Sequence, residues 1–146
     1  MLMDDKIDHG SILSISKIKS KISNLNAKKL EEELAILGGE MLVDVIPKWV
    51  SGEIKPKEQD HSQATFTKKI IKEDGLVDLE KDKPETIYKK FLAFQPWPGI
   101  YYFAQKNNPK IRVIITDMEL KDGLLLIKKV KPESKNEIEY EKFMKS

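Results

Sequence analysis

The sequence predicts an α+β protein, and three observations carry that expectation. Residues 84–94 place Ile87, Phe91 and Phe94 at i, i+4 and i+7, which puts three apolar side chains on one helical face. Beyond them, 100–104, 111–115 and 124–130 are apolar runs of strand length, and Asp122-Gly123 is a strong hairpin turn signal. Upstream, one strand-like and two helix-like segments precede a charged stretch with no hydrophobic period. The chain therefore reads as an α/β piece, a connection, and a small antiparallel β unit led by a helix.

Taken in order, Ile12, Leu13, Ile15 and Ile18 alternate imperfectly over 12–19 and predict an edge strand. Asn26 is a fitting N-cap for a helix whose face is Leu30, Leu34 and Leu37. Gly38-Gly39 is expected to loosen that helix, which resumes over 40–50 with Leu42, Val45, Ile46 and Trp49 on one side. Pro47 lacks an N–H, so it predicts either a kink or a helix shortened after Ile46, and Gly52 closes the element. This first piece has the helix and strand of an α/β unit but too few strands for a sheet, so it is expected to be cut off at its amino end.

Pro56 and its charged neighbours predict an extended connection, and 64–71 reads as a short strand. Pro84 starts the 84–94 helix and Pro96 ends it. Asn107-Asn108-Pro109 separates two of the strands, and 139–144 predicts a helical turn that packs Tyr140 and Phe143 on the sheet. Between Arg112 and Lys135 only one hairpin is visible. Lys128, Lys129 and Lys131 are expected to keep open sheet edges from pairing with other chains.

Composition narrows the function classes. The chain has no cysteine, which excludes a disulfide framework, a thiolate nucleophile and a zinc–thiolate site, and leaves the cytoplasm as the expected location with no metal. No apolar run approaches the roughly 18 residues of a membrane span, so no membrane partner is expected. Of 26 basic residues only Arg112 is arginine, which argues against base-edge readout and against DNA as a partner.

The net charge of +2 says little, but charge is arranged in blocks. Residues 54–72 hold five lysines against two acids, 73–86 six acids against two lysines, and 87–112 five basic residues and no acid. The last block also holds seven of the chain's eleven aromatic residues. Two readings of it are open: an RNA-facing surface that combines phosphate attraction with stacking, or a small core with a wet lysine face. Within it, Pro96-Trp97-Pro98-Gly99 presents an indole on a stiff, extended segment, with Trp97 expected to anchor packing.

Five blocks then occur in order. They are Met3-Asp4-Asp5-Lys6-Ile7-Asp8-His9-Gly10-Ser11-Ile12-Leu13; Leu37-Gly38-Gly39-Glu40; Gly52-Glu53-Ile54-Lys55-Pro56 running into Gln59-Asp60-His61-Ser62-Gln63-Ala64-Thr65; Lys68-Lys69-Ile70-Ile71-Lys72-Glu73-Asp74-Gly75; and Pro96-Trp97-Pro98-Gly99. A sixth, Val130-Lys131-Pro132-Glu133-Ser134-Lys135, lies near the end. Together they resemble the carboxy-terminal half of the methionyl-tRNA formyltransferase family.

The resemblance implies a remnant of a Rossmann-type formyltransferase domain over 1–53, a basic linker over 54–72, and an abbreviated OB-like barrel over 73–146. It implies a formyl transferase acting in translation initiation, with 10-formyltetrahydrofolate as co-substrate and initiator methionyl-tRNA as partner. The family's chemistry uses an Asn, a His and an Asp around the formyl group, and Asp8 matches the Asp. The matching Asn and His are expected upstream of Met1, so this chain alone is expected to be inactive and to bind no folate. A separate amino-terminal formyltransferase half is then a further possible partner.

Lys55, Lys57, Lys68, Lys69, Lys72, Lys89, Lys90, Lys106, Lys110 and Arg112 are the expected RNA contacts, against the reading that they are solvated charge. His9 and His61 are expected to be ordinary surface histidines, and Asp4, Asp5 and Asp8 without partners a solvated acidic turn. Leu34, Leu37, Leu42, Val45, Ile46 and Trp49 are expected to lie uncovered. The alternatives are a stand-alone RNA-binding module and a fragment of a related sugar-nucleotide formyltransferase, with Lys72-Glu73-Asp74-Gly75 and Pro96-Trp97-Pro98-Gly99 favouring the tRNA branch.

Overall fold

The computed structural model describes residues 1–22, 25–105 and 110–145. The chain divides into two compact units, one of Met1–Lys21 with Lys29–Lys68, the other of Ile22–Lys28 with Lys69–Ser146. The expected turn at Asn107-Asn108-Pro109 and the candidate Lys106 lie outside the described residues.

The first unit is organised around one helix, α1 (Ala27–Val50), which runs without interruption through Gly38-Gly39 and Pro47. Each glycine costs a helix only about 1 kcal/mol relative to alanine, which a 24-residue helix tolerates. Pro47 stands in the last turn, where its missing N–H removes a single bond. Gly52, at φ 78, turns the chain after the helix, where Ser51 N–H donates to Pro47 O and Glu53 N–H to Lys48 O. Of the apolar face expected to be uncovered, Leu34, Leu42, Ile46 and Trp49 are exposed, whereas Val45 is buried and Leu37 half-buried.

Neither strand expected near this helix forms. Over 12–19 only Ile12 pairs, in an isolated antiparallel bridge with Lys57, and 64–71 carries no ladder. Alternation alone does not make a strand; a partner must supply the ladder bonds, and these segments have none beyond that bridge.

The second unit is a four-stranded antiparallel sheet with helices packed on it. Its elements are α2 (Pro84–Ala93), β1 (Ile100–Ala104), β2 (Ile111–Lys121), β3 (Leu124–Pro132), β4 (Ile138–Glu139) and α3 (Tyr140–Lys145). The strand order is β1-β2-β3-β4, and among the described residues the sheet is open. β2 and β3 form the hairpin that turns at Asp122-Gly123, with φ 51 and 77. β2 runs past the expected end at Ile115, because a bulge around Asp117 lets Met118 rejoin the ladder opposite Ile127.

One sheet face carries the core. Ile100, Val113 and Val130 alternate inward from three strands and are fully buried with Ile87 of α2, while Phe91 of α2 and Phe143 of α3 complete the buried cluster. Of the lysines expected at open edges, Lys129 is paired with Glu139 of the two-residue β4, and the Lys128 and Lys129 ammonium groups pair with Glu119 and Glu137.

Two of the motif blocks meet in this unit. Lys72–Gly75 forms a single 3₁₀ turn in which Ile71 N–H donates to Asp74 Oδ2 at 3.0 Å. Gly75 then packs its bare Cα against the carbonyl of Gly99 and the ring of Pro98, with no room for a Cβ. Residues 94–98 form a turn rather than an extended run, with Gly99 N–H closing on Phe94 O at 2.8 Å. Trp97 is 55% exposed, so the anchoring expected of the indole falls instead to the Gly75–Gly99 backbone approach.

Candidate functional sites

In the first unit, the Asp8 loop is a small, heavily cross-tied structure. Asp8 adopts φ 55, and Gly10 is buried against the carbonyl of Leu2, where any side chain would collide. Leu2 N–H donates to Ser11 O, and Ile12 and Lys57 exchange two backbone hydrogen bonds of 2.8 and 2.9 Å. Gln59 Nε2 donates to Asp8 O at 3.0 Å and to Gly10 O at 2.8 Å. A cavity of about 390 Å³ beside the loop is lined by Asp8, Ile12, Lys57, Gln59 and His61 among others.

His9 and His61 are not independent surface residues. Their rings stack with centroids 3.5 Å apart and 6° between planes, and His9 Nδ1 stands 2.6 Å from Asp4 Oδ2. The His9 contact, with the Lys6 N–H, holds the Asp4 carboxyl below its ordinary value. Asp60 is held down by the Ser62 hydroxyl and N–H and by the Gln63 amide. The Asp8 residue is exposed.

In the second unit, the sheet face opposite the core brings together a buried ring, Tyr101, an exposed one, Phe103, and the cations Arg112 and Lys131. Tyr101 and Phe103 of β1 pair in register with Ile114 and Arg112 of β2, and Ile114 pairs with Lys131 of β3. The Arg112 guanidinium stands over the Tyr101 ring, 5.3 Å from its centroid, and Phe103 meets that ring edge-on at 5.8 Å. Phe103 is 51% exposed. A groove of about 760 Å³ is lined by Lys90, Lys110, Tyr102 and Phe103 together with the acids Asp78, Glu80 and Asp82. Burial, reinforced by nearby Tyr140, pushes the Tyr102 hydroxyl well above the usual phenol range.

Residues 69–121 match the family described as formyl transferase, C-terminal domain. Methionyl-tRNA formyltransferase of Chloroflexus aurantiacus is 37% identical over 84% of this chain and 38% of its own length. That of Sulfurimonas denitrificans is 32% identical over 94% of this chain and 50% of its own length. The chain is the counterpart of the carboxy-terminal portion of methionyl-tRNA formyltransferases. A Campylobacter jejuni relative of the same name is 37% identical over 69% of the chain and 31% of its own length, so the chain spans half or less of these curated relatives.

Of the expected contacts, Lys69, Lys72, Lys89, Lys90, Lys106, Lys110 and Arg112 fall in the segment that matches the formyl transferase C-terminal domain. The structure brings Lys90 and Lys110 to one groove and sets Arg112 on the adjoining sheet face. Lys90 Nζ is already committed to Leu76 O at 3.2 Å. Lys89 is exposed on α2, the helix that covers the core face, away from Arg112. Lys69 and Lys72 are exposed at the start of this unit; Lys55, Lys57 and Lys68 are exposed in the other.

Two residues escaped sequence reasoning. Lys131 belongs with Arg112 on the outer face, which the alternation of β3 would have shown once its register was known. Gln59 stands in a charged, aperiodic segment, and nothing local marks its two bonds to the Asp8 loop.

Proposed function

We propose that the chain is the tRNA-holding part of a methionyl-tRNA formyltransferase, which moves a formyl group from 10-formyltetrahydrofolate to the amino group of initiator methionyl-tRNA in the cytoplasm. The observation that carries this reading is the Tyr101–Phe103–Arg112 cluster with Lys131 beside it, on a sheet face within or next to the family-matched segment. The exposed Phe103 ring gives a stacking surface, with the buried Tyr101 ring packed behind it, and the cations give phosphate attraction, a combination suited to unpaired nucleotides. Lys69, Lys72, Lys89, Lys110 and the linker lysines Lys55, Lys57 and Lys68 add backbone attraction.

A folate-binding formyltransferase domain, in the same polypeptide or supplied separately, completes the enzyme. Exposed Leu34, Leu42, Ile46 and Trp49 on α1 give it an apolar surface to cover. In the assembled enzyme the methionyl amine attacks the formyl carbon, an oxyanion forms, and a proton reaches the departing folate nitrogen. Asp8 is the carboxylate this chain contributes, orienting and charging a histidine or water of that domain.

Anisotropy titration of the whole chain with initiator tRNA at stepped salt tests the binding half. The expected result is tighter binding to tRNA than to heparin, with Phe103→Ala and Arg112→Ala each weakening it by roughly tenfold, the scale of one lost stacked base. Equal affinity for heparin and tRNA overturns the reading.

A further inference from the structure

The segment 57–61 pairs back along the Asp8 loop at three successive points. Lys57 exchanges backbone bonds with Ile12, Gln59 reaches Gly10 and Asp8, and His61 stacks on His9. The middle point differs in kind from the other two. It is a single side-chain amide whose two N–H bonds end on two carbonyls that flank His9, and one of these is the carbonyl of Asp8 itself.

Asp8 needs such a restraint. Its φ of 55 lies in the left-handed region that a residue with a Cβ rarely adopts, so the loop relaxes unless its neighbours hold it. Gly10 fixes one side, because only glycine fits against Leu2 O. Gln59 fixes the other, because a carboxamide donates twice where a carboxylate or hydrocarbon donates nothing.

We propose that Gln59 is a positioning residue for Asp8, acting through the Asp8 and Gly10 carbonyls rather than by touching a substrate. This rests on the reading of Asp8 as the chain's contribution to formyl transfer. Gln59→Glu keeps the shape of the side chain and replaces its donors with acceptors that face two carbonyl oxygens. Gln59→Ala removes the group altogether.

Two measurements test the inference. Amide hydrogen exchange on the whole chain reads the loop directly. Loss of two hydrogen bonds is expected to speed exchange at the Ile12 N–H by about tenfold or more in both variants, while Val77 and other second-unit amides stay unchanged. Formyl transfer by the chain complemented with a formyltransferase domain reads the consequence. There kcat is expected to fall by about tenfold in both variants, with the KM for methionyl-tRNA unchanged in the uncharged Gln59→Ala, the pattern of a misplaced group rather than a lost binding surface.

Unchanged exchange at Ile12 overturns the clamp. Faster exchange with unchanged kcat overturns the positioning role. Asp8→Asn with undiminished kcat overturns the reading of Asp8 alone, and leaves the exchange result as a measure of the loop.

Discussion

Gly75→Ala tests the contact on which the second unit's two motif blocks converge. A Cβ at this position would collide with the Gly99 carbonyl and meet the Pro98 ring. The principal obstacle is backbone, so no rotamer change relieves it and one of the two chain segments must move. Overpacking of this kind costs about 1–3 kcal/mol. Gly75 has no positive φ, so alanine brings no conformational strain of its own and restricts the unfolded chain, which returns about 0.4–1 kcal/mol. The net expectation is a loss of about 1–2 kcal/mol. In a unit of this size each kcal/mol lowers Tm by roughly 4–8 °C. Urea and thermal unfolding followed by Trp97 fluorescence, in a Trp49→Phe background so that one indole reports, would read the change where it originates. A loss below about 0.5 kcal/mol, or any gain, would refute the claim that the two blocks lock by close backbone approach.

The same substitution at Gly38 is expected to act with the opposite sign. Nothing stands within 4 Å of a Cβ there, so Gly38→Ala in the middle of α1 should stabilise by about 0.5–1 kcal/mol, seen as a higher urea midpoint in far-UV circular dichroism. Tyr102→Phe removes a buried hydroxyl whose polar neighbour, Tyr140, falls outside hydrogen-bond geometry, and is expected to raise stability by about 0.5–1 kcal/mol at unchanged m-value. The Glu119–Lys128 pair, 2.8 Å apart, gives a pH window. Lys128 holds the Glu119 carboxyl below its ordinary 4.5, so that stabilisation is present above 4.5 and fades as pH falls through the lowered value. Glu119 holds the Lys128 ammonium above its ordinary 10.5, so the same stabilisation is complete below 10.5 and fades as pH rises through the raised value. Glu119→Gln should therefore flatten both limbs of the stability–pH curve.

What was legible in the sequence was local. The α2 period, its proline start, and the Asp122-Gly123 turn each depend on residues within a few positions of one another, and each appears where the pattern put it. The errors are non-local. Alternation at 12–19 suggested a strand, but the segment finds a single partner residue, Lys57, 45 positions away, and pairing of that range leaves no trace in the pattern. Gly38-Gly39 and Pro47 read as interruptions because each is unfavourable in a helix considered alone, yet α1 runs through all three. The length of β2 was hidden by its bulge, which shifts the alternation by one position and makes the second half of the strand read out of phase.

The same distinction governs the two candidate sites. The cation-and-ring face was partly visible, because Tyr101, Phe103 and Arg112 crowd into a short stretch, and only register was needed to add Lys131. The Asp8 loop was visible as a motif but not as a mechanism of support. Gln59, His61 and Lys57 sit in a charged segment where the absence of period suggested nothing more than a connection. Folding converts that segment into the second strand of a tie around Asp8, with one backbone pair, one bidentate amide and one ring stack in sequence. A connecting segment built this way is part of the site it borders. Substitutions at 57–61 should accordingly act on the geometry of Asp8 as well as on any charge they present to a polyanion, and Gln59→Ala, which changes no charge, is the substitution that shows the first effect without the second.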